Sequence, residues 1–186
     1  ACNGTASVEQ LLELKNAGVN SYNHNLESSR EFYNTICSTH SWESRYQTCL
    51  NVKESGLTLC SGGIFGLGES KEDRASFIQS VKALSPSTMP LNFYHHNPSL
   101  PLKAEPLSEE EALEIIKAVR AALPQTMLMV AGGREITFKN RQCDIFAAGA
   151  DAIVIGDYLT TKGQAPVEDL EMIRNLGYEI AKECHT

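Results

Sequence analysis

The chain has 186 residues, 42% of them hydrophobic and 21% charged, which suits a globular protein with one sizeable core. Its net charge of −7 leaves no basic patch for nucleic-acid phosphates, and no apolar run approaches the length of a membrane span. Six cysteines (Cys2, Cys37, Cys49, Cys60, Cys143 and Cys184) include no CxxC pair and no regular spacing. They predict neither a zinc ribbon nor a disulfide framework, and most read as plain buried thiols. No targeting segment precedes the first motif, so a cytoplasmic location is expected.

In chain order, "ACNG" places Cys2 where a strand would be ending, as if the chain cut through a domain. "VEQLLELKNAG" carries a helical apolar stripe and stops at Gly18. "VNSYNHN" reads as a short strand, and "SWESRYQTCLNVKESG" as a helix capped by Ser41, with Glu43 one position short of a full capping box. "LTLCSGGIFGLG" is a strand running into a glycine-rich loop, followed by the helix "SKEDRASFIQSVKALS" and the strand "MPLNFYHHNP". "SEEEALEIIKAVRAALP" is the clearest helix, with Ser108 as its cap and acids in its first turn. "MLMVAGG" and "DAIVIGDY" read as strands around the helix "KNRQCDIFAAGA", and "VEDLEMIRNLGYEIAKECH" supplies closing helical material.

Strict alternation of strand and helix predicts parallel strands joined by helical crossovers. No linker or low-complexity run divides the chain, so residues 1–186 read as a single domain. A doubly wound sheet and a (β/α)8 barrel both fit. Cys2, Asn23, Asn25, Cys60, Asn92, Arg134 and Asp157 each fall at or just past a strand's C-terminal end. Barrel strands bring those ends to one rim, so the pattern favours an α/β fold of the barrel type. Two strands and part of a third are missing from the count on the N-terminal side, which gives a partial barrel from the end of strand 3 through strand 8.

Several residues stand out for chemistry. "YNHNLESS" packs Asn23, His24, Asn25 and Glu27 into five positions straight after a strand. Cys60, before glycines 62, 63, 66 and 68, is either a thiol in a tight turn or a soft ligand suited to iron and sulfur. Arg134 in "AGGRE" is either salt-bridged or a lumen guanidinium in need of an anion or an unusual partner. Arg45 reads as a solvated helix charge, Asn92 as a buried amide needing partners, and His95 and His96 as rim residues. Cys37, Cys49, Cys143 and Cys184 read as structural. There is no Ser–His–Asp logic, no HExxH and no Walker loop.

"YNHNLESSREFY", "ICSTHSWESRYQT", "LCSGGIFGLGE", "PLNF", "AGGRE" and "LTTKG", in this order and spacing, resemble the biotin synthase family of radical S-adenosylmethionine enzymes. The resemblance implies a partial TIM-type barrel and sulfur insertion into dethiobiotin. Hydrogen abstraction would be by 5′-deoxyadenosyl radicals, and a [2Fe–2S] cluster would supply the sulfur. It assigns the [2Fe–2S] cluster to Cys2, Cys60 and Arg134, with a further cysteine from the preceding strand. Asn25, Glu27, Arg45 and Ile64 would bind S-adenosylmethionine: Glu27 the ribose hydroxyls, Arg45 the carboxylate, Ile64 the adenine. Asn23 and Asn92 would meet dethiobiotin, Asn92 at its ureido ring. Relatives often carry Asp where Glu27 stands. No residue beyond these ligands is singled out as catalytic.

The family's [4Fe–4S] cluster is held by CxxxCxxC, and that motif is absent from these residues. The chain is therefore expected to be the C-terminal portion of such an enzyme, inactive alone and homodimeric at full length, with an electron donor the residues do not name. The rival readings are a related radical enzyme with another substrate, a non-radical TIM-barrel enzyme holding a phosphate ligand at "AGG" and "GADAIVIGD", and a non-catalytic binding remnant.

Overall fold

The computed structural model describes residues 4–96, 101–158 and 163–181. It builds one parallel sheet flanked by helices. The elements in order are α1 (Val8–Asn16), β1 (Ser21–Asn23), α2 (Arg30–Ile36), α3 (Trp42–Ser55), β2 (Thr58–Cys60), β3 (Gly63–Phe65), α4 (Lys71–Leu84), β4 (Thr88–Phe93), α5 (Glu109–Ala122), β5 (Met127–Val130), α6 (Arg134–Phe138), α7 (Asp144–Ala147), β6 (Ala152–Ile153) and α8 (Pro166–Asn175). Serines start five of these helices: the hydroxyls of Ser7, Ser29, Ser41, Ser70 and Ser108 each accept an amide from the first turn. In α1, α4 and α5 the box closes reciprocally through Gln10, Asp73 and Glu111.

All strand pairs are parallel, in the order β1–β2–β4–β5–β6. β3 continues β2 beyond a break at Ser61–Gly62 and also pairs with β4. The expected α/β architecture is present, as five strand positions of an open parallel sheet. Among the described residues no strand pairs with the outer side of β1 or of β6.

Burial alternates along the strands. Tyr22, Leu59, Phe65, Leu128 and Val130 are buried, while Ser21, Asn23, Thr58, Cys60, Ile64, Met127 and Met129 are half-buried. Side chains two apart share a face, so one face packs on the helices and the other stays partly open. The packed face meets Leu11, Val52, Phe77, Val81 and Ile116 from the helices. Phe65 lies edge-on to Phe77 at 5.5 Å between ring centroids, and Phe93 edge-on to Phe138 at 5.0 Å, arrangements that suit the aromatic quadrupole. β4 is buried throughout, as expected of the central strand.

Some elements differ from expectation. The short helix α2 was not anticipated; its apolar residues are too few for a clear stripe. The helix expected over 139–150 is broken: Lys139 takes a left-handed φ of 45°, a single 3₁₀ turn follows, and only Asp144–Ala147 is α-helical. The last strand pairs over Ala152–Ile153 alone, and the closing helix ends at Asn175, ahead of the positive-φ Gly177.

The break between β2 and β3 is made by close packing. A Cβ on Gly62 would lie 2.0 Å from the Pro90 carbonyl oxygen, and one on Gly63 would lie 2.4 Å from the Glu27 carbonyl oxygen and 2.7 Å from Phe77 Cζ. Gly63→Ala is therefore expected to destabilise the full-length protein by about 1–3 kcal/mol, as overpacked substitutions do. Gly4→Ala, with nothing nearer than 3.9 Å, serves as the neutral control in the same denaturant titration.

Candidate functional site

The alternation begun in β1 persists to Ser28: Tyr22, His24, Leu26 and Ser28 are buried, and Ser21, Asn23, Asn25 and Glu27 turn to the open face. Backbone bonds hold the stretch against β2 and β3. His24 N–H donates to Cys60 O (2.9 Å), Leu26 N–H to Gly62 O (3.0 Å), and Ile64 N–H to Glu27 O (2.8 Å). Two amides and a carboxylate thus line up at every second residue on one face. Glu27 holds φ at 68°, a left-handed conformation costing a non-glycine residue about 1–2 kcal/mol. Strain of that kind gathers at ligand sites.

Arg45, on α3, is drawn into this face. Its Nε donates to Asn25 O (2.6 Å) and its Nη2 to Glu27 Oε1 (3.1 Å), while Nη1 lies 3.0 Å from His40 Nε2. Its side chain is 13% exposed, so the reading of a solvated helix charge is corrected: the guanidinium reaches back over the loop that follows β1. Burial pushes the Glu27 carboxyl above its usual range, and the Arg45 charge and the Asn25 amide oppose that rise. Asn25 Oδ1 also accepts Gly62 N–H at 3.1 Å.

Cys60 sits at the end of β2, in register with Asn23, whose Nδ2 lies 3.1 Å from its sulfur. Burial raises the Cys60 thiol, and the Asn23 contact lowers it. Ile64 stands beside them in β3, on the same half-buried face. Asn92, buried in β4, finds the partners expected of it: Nδ2 donates to Gly63 O (3.1 Å) and Oδ1 accepts Gly132 N–H (2.9 Å). Each end of that amide retains one hydrogen-bonding position. Tyr158, just past β6, faces the same region; burial, and then the charges of Glu27 and Cys60, raise its phenol.

Arg134 takes a different course. It opens α6, is fully buried, and donates through Nη2 to Asp169 Oδ2 and Glu135 Oε1 (2.8 Å each) and to Val154 O (3.4 Å). Nη1 donates to Gln142 Oε1. Asp169, on α8, is also fully buried. Of the two readings of Arg134, the structure realises the salt bridge. An iron–sulfur cluster needs donor atoms with free electron pairs. Cys60 fits that demand; Arg134 donates from both terminal nitrogens, while its Nε is buried without a partner among the described residues. Cys2 and Cys184 lie outside the described residues, as does most of "LTTKG". Among the described residues no group of three His, Cys, Asp or Glu side chains is placed to hold a metal ion, and no helix is long and apolar enough to cross a membrane.

Of the four described cysteines only Cys49 is buried, which corrects the reading of Cys37 and Cys143 as plain buried thiols. Cys37 is half-buried, and hydrogen bonds from Tyr33 and then Thr39 lower its thiol to about 7. His95 is half-buried and His96 exposed, just past the C-terminal end of β4.

Residues 1–81 match the Radical SAM superfamily and residues 90–179 the Biotin and Thiamin Synthesis associated domain. Over 185 residues the chain is 56% identical to the biotin synthase of Aliarcobacter butzleri (strain RM4018) and 58% identical to that of Campylobacter jejuni (strain ATCC 700819), covering 100% of this chain in both cases. The chain belongs to the biotin synthase family. It spans 66% of the length of each of these two relatives. Among solved structures, a methylornithine synthase superposes with a TM-score of 0.75 at 15% identity, covering 96% of this chain and 57% of that one. A phosphonopyruvate hydrolase complexed with oxalate and Mg++ superposes at 0.60 and 14% identity, covering 96% and 64%. These two likenesses concern the fold, which the biotin synthase family shares with other barrels.

Tyr158, His40, Tyr33 and Asp169 are contacts that sequence reasoning missed. Tyr158 carried a usable signal, since it follows Asp157 at a strand end. Asp169 carried none, because an acid in a helix's first turn ordinarily faces water.

Two outcomes follow from these contacts. Asp169→Ala leaves Arg134 buried without its main counter-charge and is expected to cost about 3–5 kcal/mol. Arg134→Met with Asp169→Leu should recover most of that loss in the same urea titration. Peptide-resolved alkylation should show Cys37 reacting with half-maximal rate near pH 7, because the thiolate is the nucleophile. A midpoint in the ordinary thiol range would refute its activated environment, and Cys49, raised to about 11 by burial, should stay unmodified.

Proposed function

We propose that these residues form the substrate-binding part of an enzyme that inserts sulfur into dethiobiotin to give biotin. Family membership sets the class, and one observation carries the detail. On the open face of the sheet Arg45 bridges the Glu27 carboxylate and the Asn25 backbone carbonyl, the Asn25 side chain accepts Gly62 N–H, and Asn23 and Cys60 lie beside them. S-adenosylmethionine, reduced by an iron–sulfur cluster, supplies the hydrogen-abstracting power when bound.

In this reading the chain's own residues bind and orient. Arg45 receives the methionine carboxylate. Three of its five N–H groups are committed among the described residues, which leaves one on each terminal nitrogen for a carboxylate. Glu27 accepts the ribose hydroxyls, a carboxylate being the natural acceptor for a diol. Ile64 gives the adenine an apolar surface. Asn92 offers its remaining donor and acceptor to the ureido ring, whose N–H and C=O groups match an amide edge, and Asn23 approaches the same substrate from β1. Cys60 is the described thiol suited to ligate a cluster. A full-length homodimer and a cytoplasmic setting belong to the same proposal.

The test is anaerobic turnover by the full-length protein with dethiobiotin, S-adenosylmethionine, iron, sulfide and a reductant. Biotin is expected to form. Asn92→Ala should raise KM for dethiobiotin by about tenfold, the worth of one to two hydrogen bonds, with S-adenosylmethionine affinity unchanged. Cleavage of S-adenosylmethionine with no biotin formed would point to a related radical enzyme of other substrate and overturn the assignment.

A further inference from the structure

His40 stands in the loop between α2 and α3, outside the residues assigned to any ligand. Its Nε2 is 3.0 Å from Arg45 Nη1, and its Nδ1 is 2.9 Å from Thr39 Oγ1. A guanidinium only donates, so Nε2 must present its lone pair and Nδ1 must carry the proton. Nδ1–H then donates to the Thr39 oxygen, which leaves the threonine hydroxyl free to donate to Cys37 sulfur at 3.5 Å. The ring also lies against Tyr33, with centroids 6.3 Å apart. The Arg45 and Thr39 hydrogen bonds therefore fix the tautomer of a surface histidine, and Tyr33 and the Cys37 sulfur, 3.9 Å from both ring nitrogens, help to hold the ring with Nε2 toward Arg45.

The chemistry of Arg45's three acceptors explains why this matters. Asn25 contributes a neutral carbonyl, Glu27 a carboxylate and His40 a neutral imidazole. A second carboxylate at the His40 position would saturate the guanidinium's charge and compete with an anionic ligand. A neutral acceptor fixes the plane of the fork while leaving its charge to the ligand. Bidentate recognition of a carboxylate depends on that plane, since both N–H groups must point at both oxygens.

We infer that His40 is a positioning residue that holds Arg45 in the orientation needed to bind the carboxylate of the methionine moiety. This rests on the assignment of Arg45 under the proposed function. In this role His40 acts through the guanidinium, which it contacts at 3.0 Å.

The experiment is equilibrium dialysis on the full-length, anaerobically reconstituted protein with two probes: S-adenosylmethionine and its decarboxylated analogue. Arg45→Ala, His40→Ala and His40→Gln are compared with the parent. His40→Ala should weaken S-adenosylmethionine binding by about 3- to 10-fold, the range of one neutral hydrogen bond, and leave the decarboxylated analogue unaffected. His40→Gln, whose amide oxygen can accept from Nη1, should restore most of the affinity. Equal loss for both probes, or no loss for either, overturns the positioning role. If Arg45→Ala itself leaves S-adenosylmethionine affinity unchanged, the assignment of Arg45 fails, and the role of His40 fails with it.

Discussion

The site depends on how closely two glycines let three strands approach. Gly62 N–H takes the Asn25 side chain, Gly62 O takes Leu26 and Glu27 N–H, and Gly63 O takes the Asn92 amide. Neither position has room for a Cβ. The Gly62–Gly63 dipeptide at the start of β3 is therefore the common partner of the residues after β1 and in β4 that face the candidate ligands. The break between β2 and β3 follows from this crowding. A continuous strand with side chains at both positions would hold the β1 extension and Pro90 further away, and Asn25, Glu27 and Asn92 would lose their shared anchor. Glycine matters here for close approach, since neither residue takes a positive φ.

That anchor also accounts for the strain at Glu27. Its carbonyl is held by Ile64 N–H and its own N–H reaches back to Gly62 O at 3.3 Å, which over-determines the left-handed backbone. The carboxylate is thereby turned toward Arg45 while staying on the face shared with Asn23 and Asn25. Burial favours the neutral acid and the guanidinium favours the anion, so the two groups depend on each other. Removing the arginine would leave a half-buried carboxyl with a raised proton affinity, less suited to accept hydroxyl donors.

The sheet was legible because alternating apolar runs and capped helices agree at every level: serine caps, parallel strand signals and polar residues at strand ends pointed the same way. The polar row at 23, 25 and 27 was legible for the same reason, since period two needs only local information. The reach of Arg45 was not. On α3 it looks like any exposed helical arginine, and its contact to Glu27 spans 18 residues and a turn of the chain. Side-chain direction across a crossover is set by packing, here by Trp42 stacked on Tyr46 at 4.9 Å and bonded through Nε1 to Ser28 O. Those contacts tie the start of α3 to the end of the β1 extension, and one-dimensional patterning carries no trace of them. Cys37 was misjudged similarly, because its activation comes from Tyr33 and Thr39 neighbours and not from its own apolar setting.

Arg134 and Asp169 tie the C-terminal ends of β5 and β6 to α8. A buried ion pair recovers its desolvation cost only with good geometry, and apolar replacements often serve stability equally well. What the pair provides here is position. β6 pairs with β5 over two residues only, a short ladder for a strand with no described neighbour on its other side. Arg134 supplements it by gripping Val154 O at the end of β6 while binding Asp169 on α8. Four residues further along stands Tyr158, the phenol that faces Glu27 and Cys60 and whose ring would be met at 2.9 Å by a Cβ on Gly132. The guanidinium thus links the end of β6 to α8, four residues before Tyr158. An arginine fits this task better than an apolar side chain because its fork reaches a helix carboxylate and a strand carbonyl at once.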